Sequence, residues 1–459
     1  MPTIDDAFRA ALGQHQAGRL DAAETIYRQI LEVVPAHAPA LHLLGVIALQ
    51  SARPQEAISL IGRALAIDSL QPGFHSNLGE AHRSLGQLSE AVGCYRQALV
   101  LAPDFSEAHN NLALALQIQG EFAAARDHFE QALRIMPDYV EAHYNLGRLL
   151  LLEGDFQRGW REYGWRMRMR GHPSQNLQAP RWAGEQDGQR RLLLYAEQGL
   201  GDTLQFVRYL PLVRACVLNV TTAVPRALLP ILTSSGFTDL IAQNEPLPVV
   251  DWQCSLASLP QAFETRVDTI PATTPYLYAD PRLIEKWRAR LSAVEGLKVG
   301  IAWQGNPAFY SDRFRSIALA EFAPLAKIPG VRLIRLQQQG VGEAMSAEGD
   351  RVQMISWDEE IDGVGNEFMD TAAIMASLDL VITSDTSIAH LAGALDVPVW
   401  VALSLAPDWR WLLERDDSPW YPTMRLFRQT RLADWSDVFK RMAQELESRT
   451  KAAQCRPIV

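Results

Sequence analysis

The stretch Asn77 to Ala113, NLGEAHRSLGQLSEAVGCYRQALVLAPDFSEAHNNLA, holds one complete period of a repeating pattern and the start of the next. Gly79 and Ala113 are 34 residues apart, and the same step outward reaches Gly45 and Gly147, with Ala11 one period earlier. A second small residue follows each at a fixed distance (Ala23, Ala57, Ala91, Ala125, Gly159), and a bulky one comes four positions later (Tyr27, Ile61, Tyr95, Phe129, Tyr163). Small residues let two helices approach, and the large side chain fills the space beside them. Pro35, Pro103 and Pro137 stop a helix at the end of a period, because proline lacks the next N–H donor; Ser69 interrupts that series. Gly18, Gly86, Gly120 and Gly154 mark a tight turn within the period, with Ala52 as the exception.

With these series in register, residues 7–168 resemble the tetratricopeptide-repeat family, whose period is 34 residues. Residues 1–170 are therefore expected to form an α-helical solenoid of four to five repeats. Such arrays offer a concave face, so the region reads as a peptide-binding module. Asn77, Asn111 and Asn145 share one repeat position, where Leu43 breaks the row. A row of amides has donors and acceptors for an extended acceptor peptide, and it is similar to the asparagine ladder of repeat-bearing O-linked N-acetylglucosamine transferases. Asparagine tolerated on an exposed helix face explains the row as well. His75, His109 and His143 also recur at 34 residues, which reads as packing rather than metal binding.

Residues 155–190 begin as the last repeat helix and then lose its period. Trp160, Trp165 and Trp182, with Arg158, Arg161, Arg166, Arg168 and Arg170, predict a docking seam, with residues 171–189 joining the array to the second half of the chain. A basic patch for an acidic acceptor is the rival reading.

From Arg191 the grammar becomes strand, glycine turn and helix: RLLLYA, EQGLGD, TLQFVRYLPLV. This opens a parallel α/β unit. Further strands are predicted at VLNVTTAV, LPVVD, KVGIAW, VRLIRLQ, RVQMIS, LDLVITSD, VPVWVALS and MRLFRQ, with a helix at Pro281 to Ser292. We read two Rossmann-like domains, an acceptor-side domain at 190–292 and a nucleotide-sugar domain at 293–430. A helical tail within 431–459 is expected to pack back across both. The pair resembles the GT-B arrangement of sugar-nucleotide transferases.

Two segments carry a more specific resemblance. WQGNPAFYSDRFRSIALAEFAPL (Trp303 to Leu325) and DTAAIMASLDLVITSDTSIAHLAGALDVPVWVALS (Asp370 to Ser404) look like the C-terminal domain of heptosyltransferase-like glycosyltransferases. Fused to tetratricopeptide repeats, the chain resembles a bacterial group that includes flagellin glycosyltransferases. The residues support a site at the same place. Ser384, Asp385, Thr386 and Ser387 follow a buried strand and open the helix carrying His390, where backbone N–H groups suit a diphosphate. An ordinary N-cap by Ser or Asp needs no ligand. Arg315 and Ser316 stand where the heptosyltransferase pattern has a lysine ahead of a tryptophan-proline pair, although Ile317 and Ala318 replace that pair. Arginine keeps the charge and can grip phosphate with two donors. Asn306, beside Gly305, is a further phosphate or ribose contact, and Tyr310 replaces an expected histidine.

By resemblance, Asp202 matches the carboxylate proposed as general base in heptosyltransferases; the same Asp can cap a helix beginning at Thr203. His390 is the competing base. Trp409 or Trp411 could stack a nucleobase, and Arg410 or Arg415 could meet phosphate, with core packing as the plainer role for the rings.

Composition bounds the rest. The chain has 459 residues and a formal charge of -10, with no basic blocks, which disfavours nucleic acid or a membrane as partner. No apolar run approaches the roughly 20 residues of a spanning helix, and no export signal opens the chain, so a cytoplasmic location is expected. All 12 Trp lie at or after Trp160 and nine of 10 His at or before His172, so the halves differ in kind. Cys94, Cys216, Cys254 and Cys455 are scattered without a metal or redox motif, and no D-x-D pair occurs, so neither a metal nor a resident cofactor is expected. The leading expectation is a metal-independent glycosyltransferase that uses a nucleotide sugar and a polypeptide acceptor, flagellin by resemblance. The alternatives are a repeat scaffold with a degenerate transferase half, and a transferase acting on a lipid-linked or oligosaccharide acceptor.

Overall fold

The computed structural model describes residues 3–306, 312–337, 352–357, 361–363 and 367–454. The chain divides into two compact units, Met1–Leu146 and Gly147–Val459.

Among the described residues, ten helices run through the repeat half: α1 (Ile4–Gln16), α2 (Leu20–Val33), α3 (Ala38–Gln50), α4 (Pro54–Ile67), α5 (Pro72–Ser84), α6 (Leu88–Leu101), α7 (Ser106–Ile118), α8 (Phe122–Ile135), α9 (Val140–Leu152) and α10 (Phe156–Tyr163). The small and bulky series explain the pairing directly. A Cβ added to Gly45 would lie 2.6 Å from Ile61, and one added to Gly79 would lie 2.7 Å from the Tyr95 ring. Ala11, Ala23, Tyr27, Ala57, Ile61 and Ala64 are fully buried in the core of the first unit. The turns within repeats take positive φ at Gly18, Gly86 and Gly120, as at Gly154, and Ala52 is held at φ 55° in the same place.

The α/β region opens with β1 (Arg191–Tyr195), α11 (Leu200–Phe206), α12 (Leu210–Cys216), β2 (Asn219–Val224), α13 (Leu229–Ser234), β3 (Leu240–Ala242), β4 (Trp252–Ser255), α14 (Leu259–Ala262) and α15 (Pro281–Leu291). It continues with β5 (Leu297–Ala302), α16 (Asp312–Arg315), α17 (Ala323–Ala326), β6 (Val331–Arg335), α18 (Met369–Met375), β7 (Leu380–Ser384), α19 (Ser387–Ala394), β8 (Val399–Leu403), β9 (Met424–Arg428) and α20 (Ser436–Gln454). The strands form two parallel sheets, ordered β3-β2-β1-β4 and β6-β5-β7-β8-β9. Strands such as β7 and β8 are buried throughout, as expected of a parallel sheet covered on both faces.

Two sequence expectations are corrected. LPVVD is not a strand: Leu247 and Val249 are exposed, and the strand begins at Trp252, after the Asp251 carboxylate accepts the Arg191 N–H at 2.8 Å. Among the described residues of RVQMIS only Ile355 pairs, as an isolated bridge to Ile334 on the edge strand β6. Of the helical tail, Val438, Phe439, Met442 and Leu446 of α20 join the core of the second sheet. The short strand β3 carries no marked apolar alternation that would announce it.

Candidate functional site

In open parallel sheets, ligands bind beyond the carboxyl ends of the strands where the order reverses. In the second sheet that point lies between β5 and β7. Past β5, the Gly305 N–H donates to Ser316 Oγ at 3.0 Å, and Ser316 Oγ donates to Asp312 Oδ2 at 2.7 Å. Arg315 donates through Nε to Asp312 Oδ1 at 3.0 Å and through Nη1 to the Asp385 carbonyl at 3.1 Å, which ties α16 to the loop after β7. A Cβ on Gly305 would sit 2.3 Å from Asp312 Oδ1, so a larger residue there would push the Asp312–Arg315 pair aside. Asn306 follows Gly305 and ends that described run; Tyr310 lies outside the described residues, as does Cys455.

Past β7, Ser384 is fully buried and its hydroxyl has no hydrogen-bond partner among the described residues. Asp385 is half-buried, and Thr386 is the N-cap residue of α19 without a side-chain capping bond; its hydroxyl instead lies 3.3 Å from that of Thr383. Ser387 opens α19.

Asp202 comes to the same place from the first sheet. It is the third residue of α11, and its Oδ2 accepts the Gly199 N–H at 2.8 Å, so it satisfies the helix start from inside rather than capping a helix at Thr203. The neighbouring Gly201 packs on α19: a Cβ there would lie 2.8 Å from His390 Cδ2 and 3.4 Å from Ser387 Cα. His390 is buried, its Nδ1 lies 2.9 Å from the Tyr421 hydroxyl, and its ring stacks on Trp411. Burial, then the Arg410 charge, drives its pKa well below the ordinary histidine value, so it is neutral at physiological pH. It is hydrogen-bonded to Tyr421 and packed between Trp411 and Gly201.

The segment after β8 supplies the charges. Arg410 donates to Asp202, to Asp408 Oδ1 at 2.7 Å and to Gln205. Burial raises the Asp202 carboxyl above its ordinary value despite Arg410. Asp408 experiences burial too, yet Arg410 and Arg148 hold it below the usual carboxylate value. Burial, reinforced by Asp408, pushes Asp385 up to about 6. Trp409 and Trp411 are 2 % and 0 % exposed, so neither ring presents a face for a nucleobase. Arg415 is paired with Asp417.

One cluster was not visible in the sequence. At the switch point of the first sheet, between β1 and β4, the Glu197 carboxylate is buried and accepts from Arg166 at 2.6 Å, from His172 and from Ser255. Burial opposes its charge, but Arg166 and His172 hold its pKa below the ordinary value. Residues of the seam thus supply the partners of Glu197; elsewhere in the seam, Trp160 Nε1 donates to the Thr265 carbonyl at 2.8 Å, and Trp182 is fully buried. Of the five arginines of the seam, Arg166 points inward, whereas Arg158, Arg161, Arg168 and Arg170 are exposed. A charged residue two positions beyond a buried strand was the available signal for Glu197.

Within the repeats, the asparagine row is half-buried, and Asn77 and Asn145 bridge to other helices. Asn77 Nδ2 lies 2.8 Å from His42 Nε2, Asn145 donates to Asn110 Oδ1 at 3.0 Å, and Asn110 donates to Asn111 Oδ1 at 3.1 Å. The periodic histidines tie loops down: His75, His109 and His143 each place Nε2 within 3.0 Å of the carbonyl six residues earlier. A carbonyl only accepts, so Nε2 carries the proton and is not open to a metal. Among the described residues, no group of three or more His, Cys, Asp or Glu is placed to hold a metal ion, and no helix is long and apolar enough to cross a membrane.

Models of the tetratricopeptide repeat match residues 8–72 and 104–158, and a TPR-repeat model matches 79–120. The helical array thus carries tetratricopeptide repeats. The chain is 24 % identical over 420 residues to protein FlbA of Caulobacter vibrioides, covering 86 % of this chain and 70 % of that protein. A human cell division cycle protein 16 homologue is 33 % identical over 91 residues, or 18 % of this chain and 14 % of its own length. A crystal structure of MamA aligns with TM-score 0.31 at 20 % identity, covering 34 % of this chain and 92 % of that chain. For Pseudomonas aeruginosa pilF the values are 0.35 and 25 %, covering 38 % and 79 %.

Proposed function

We propose that the chain is a glycosyltransferase that moves a sugar from a nucleotide-activated donor to a hydroxyl of a polypeptide recruited by the repeat array. The observation that carries this reading is the convergence of Asp202, Arg315 and the Ser384–Ser387 loop, distant in sequence, at the switch point of the second sheet. The donor diphosphate would lie against the start of α19, where the helix dipole and the Thr386 and Ser387 hydroxyls face negative charge, with Arg315 beside it.

The acceptor oxygen attacks the anomeric carbon as the bond from that carbon to the diphosphate breaks. The hydroxyl proton passes to Asp202, whose raised pKa favours accepting it, and the nucleoside diphosphate leaves with the bonding electron pair. Arg315 and the helix start stabilise the charge that develops on it, without a step that calls for a metal. Resemblance makes flagellin the first acceptor to try, and the asparagine row is the proposed peptide contact.

A second reading draws on the pairing of Asp202 with Arg410, which engages the carboxylate in this structure. It makes the chain a scaffold whose transferase half binds without turning over. Mass spectrometry of the acceptor after coexpression separates the two. A sugar-sized mass increase that disappears with Asp202→Asn supports transfer. No increase, with the acceptor still captured by the repeats, supports the scaffold.

A further inference from the structure

The proposed base is gripped by a guanidinium from the segment after β8, far from it in sequence. Arg410, 7 % exposed, directs Nη2 to Asp202 Oδ1, Nη1 to Asp408 Oδ1 at 2.7 Å and Nε to Gln205 Oε1. Its plane is wedged by Trp409, whose ring centre lies 4.3 Å from Cζ, and Phe206 at 5.5 Å. Because Asp202 Oδ2 already accepts the Gly199 N–H, both carboxylate oxygens are fixed. On the far side of Asp408, Oδ2 lies 3.7 Å from Arg148 Nη2. Arg148 belongs to α9 and stands three residues beyond Asn145 of the asparagine row. The result is a file of alternating charge: Arg148, Asp408, Arg410, Asp202.

We infer that Arg410 is the positioning residue that sets the orientation and proton affinity of Asp202, and that Arg148 tunes it through Asp408. The inference rests on reading Asp202 as the base. A carboxylate with two fixed oxygens presents one defined lone-pair direction to an acceptor hydroxyl, which is what positioning adds to a general base.

The groups facing Asp202 are Arg410 and Asp408 from the segment after β8, Glu197 from the loop after β1, and neutral His390, which packs on Gly201 of α11. Glu197 is held by its own partners and contributes a constant charge. Alternation then dictates the signs. Losing Arg410 removes an attractive charge and raises the pH at which Asp202 titrates. Losing Asp408 removes a repulsive one and lowers it. Losing Arg148 leaves Asp408 less neutralised and raises it, by less.

The test uses full-length protein in four backgrounds: wild type, Arg410→Gln, Asp408→Asn and Arg148→Gln. In each, the melting-temperature difference from the same background carrying Asp202→Asn is followed across pH, which reports the titration of Asp202 without any turnover. The expected midpoints move up by about one pH unit or more for Arg410→Gln, down for Asp408→Asn, and up by a few tenths for Arg148→Gln. Should Arg410→Gln fail to fold, the opposed shifts of the other two still decide. Coincident midpoints, or shifts of the same sign for Asp408→Asn and Arg148→Gln, overturn the inference. The acceptor mass assay runs beside it: absence of transfer in wild type defeats the enzymatic reading, while the titration decides the charge file separately.

Discussion

Gly201 packs its bare α-carbon against the His390 imidazole, closely enough that a Cβ would lie 2.8 Å from Cδ2. The ring cannot swing aside, because Nδ1 is bonded to Tyr421 and one face lies on Trp411. Gly201→Ala should therefore cost about 1–3 kcal/mol, the usual penalty for overpacking. Chemical denaturation measures it. Adding His390→Ala should recover part of the loss; a strictly additive double variant would show that the two residues do not meet.

Ala52 occupies the turn position that the other repeats give to glycine, at φ 55°. A left-handed conformation costs a residue with a Cβ about 1–2 kcal/mol, and the extra freedom of unfolded glycine returns some of that. Ala52→Gly should stabilise the chain by up to about 1 kcal/mol, read as a shift in denaturation midpoint at constant slope. A loss of stability would mean that the Ala52 turn is relaxed.

How much of the molecule was legible depends on the range of each interaction. The repeats were readable because the pairs that build them, such as Gly79 with Tyr95, recur at short fixed spacing. The strand pattern was readable wherever a strand was buried on both faces, as in β7, and failed at 247–251, where apolar residues are exposed. Apolar runs alone do not separate a strand from a loop. The Ser384–Ser387 loop could be placed because strand-loop-helix is local. The union of Asp202 with Arg410 could not, since it joins residues 208 positions apart. Nor could Glu197 and Arg166, whose pairing depends on how the segment after α10 folds over β1 and β4.

The asparagine row makes a prediction about recruitment. Each amide has more hydrogen-bonding capacity than one bridge to a neighbouring helix consumes. If the row grips a peptide backbone, Asn111→Ala should weaken acceptor binding by roughly tenfold, the effect of about one hydrogen bond, with helicity unchanged by circular dichroism. Asn145→Ala should in addition lower stability, because Asn110 Oδ1 loses its donor. Unchanged acceptor affinity in both variants would assign the row to the fold alone.

Asp385 gives the stability a pH dependence whose sign is unusual for a carboxylate. Burial, and then the Asp408 charge, push it up to about 6 from 3.8, against the pull of Arg315 and Arg410. A carboxyl with a higher pKa folded than unfolded holds its proton more tightly in the native state. Its contribution is therefore largest below 3.8 and is lost as pH rises through about 6. Asp385→Asn removes the charge while keeping the shape. The variant should be more stable than wild type at pH 7.5, by something on the order of 1–2 kcal/mol, and no more stable at pH 3.5. Melting curves of both proteins between those limits test it. A variant less stable than wild type at pH 7.5 would show that Arg315 and Arg410 outweigh burial, and that the ionised Asp385 carboxylate holds the loop in place.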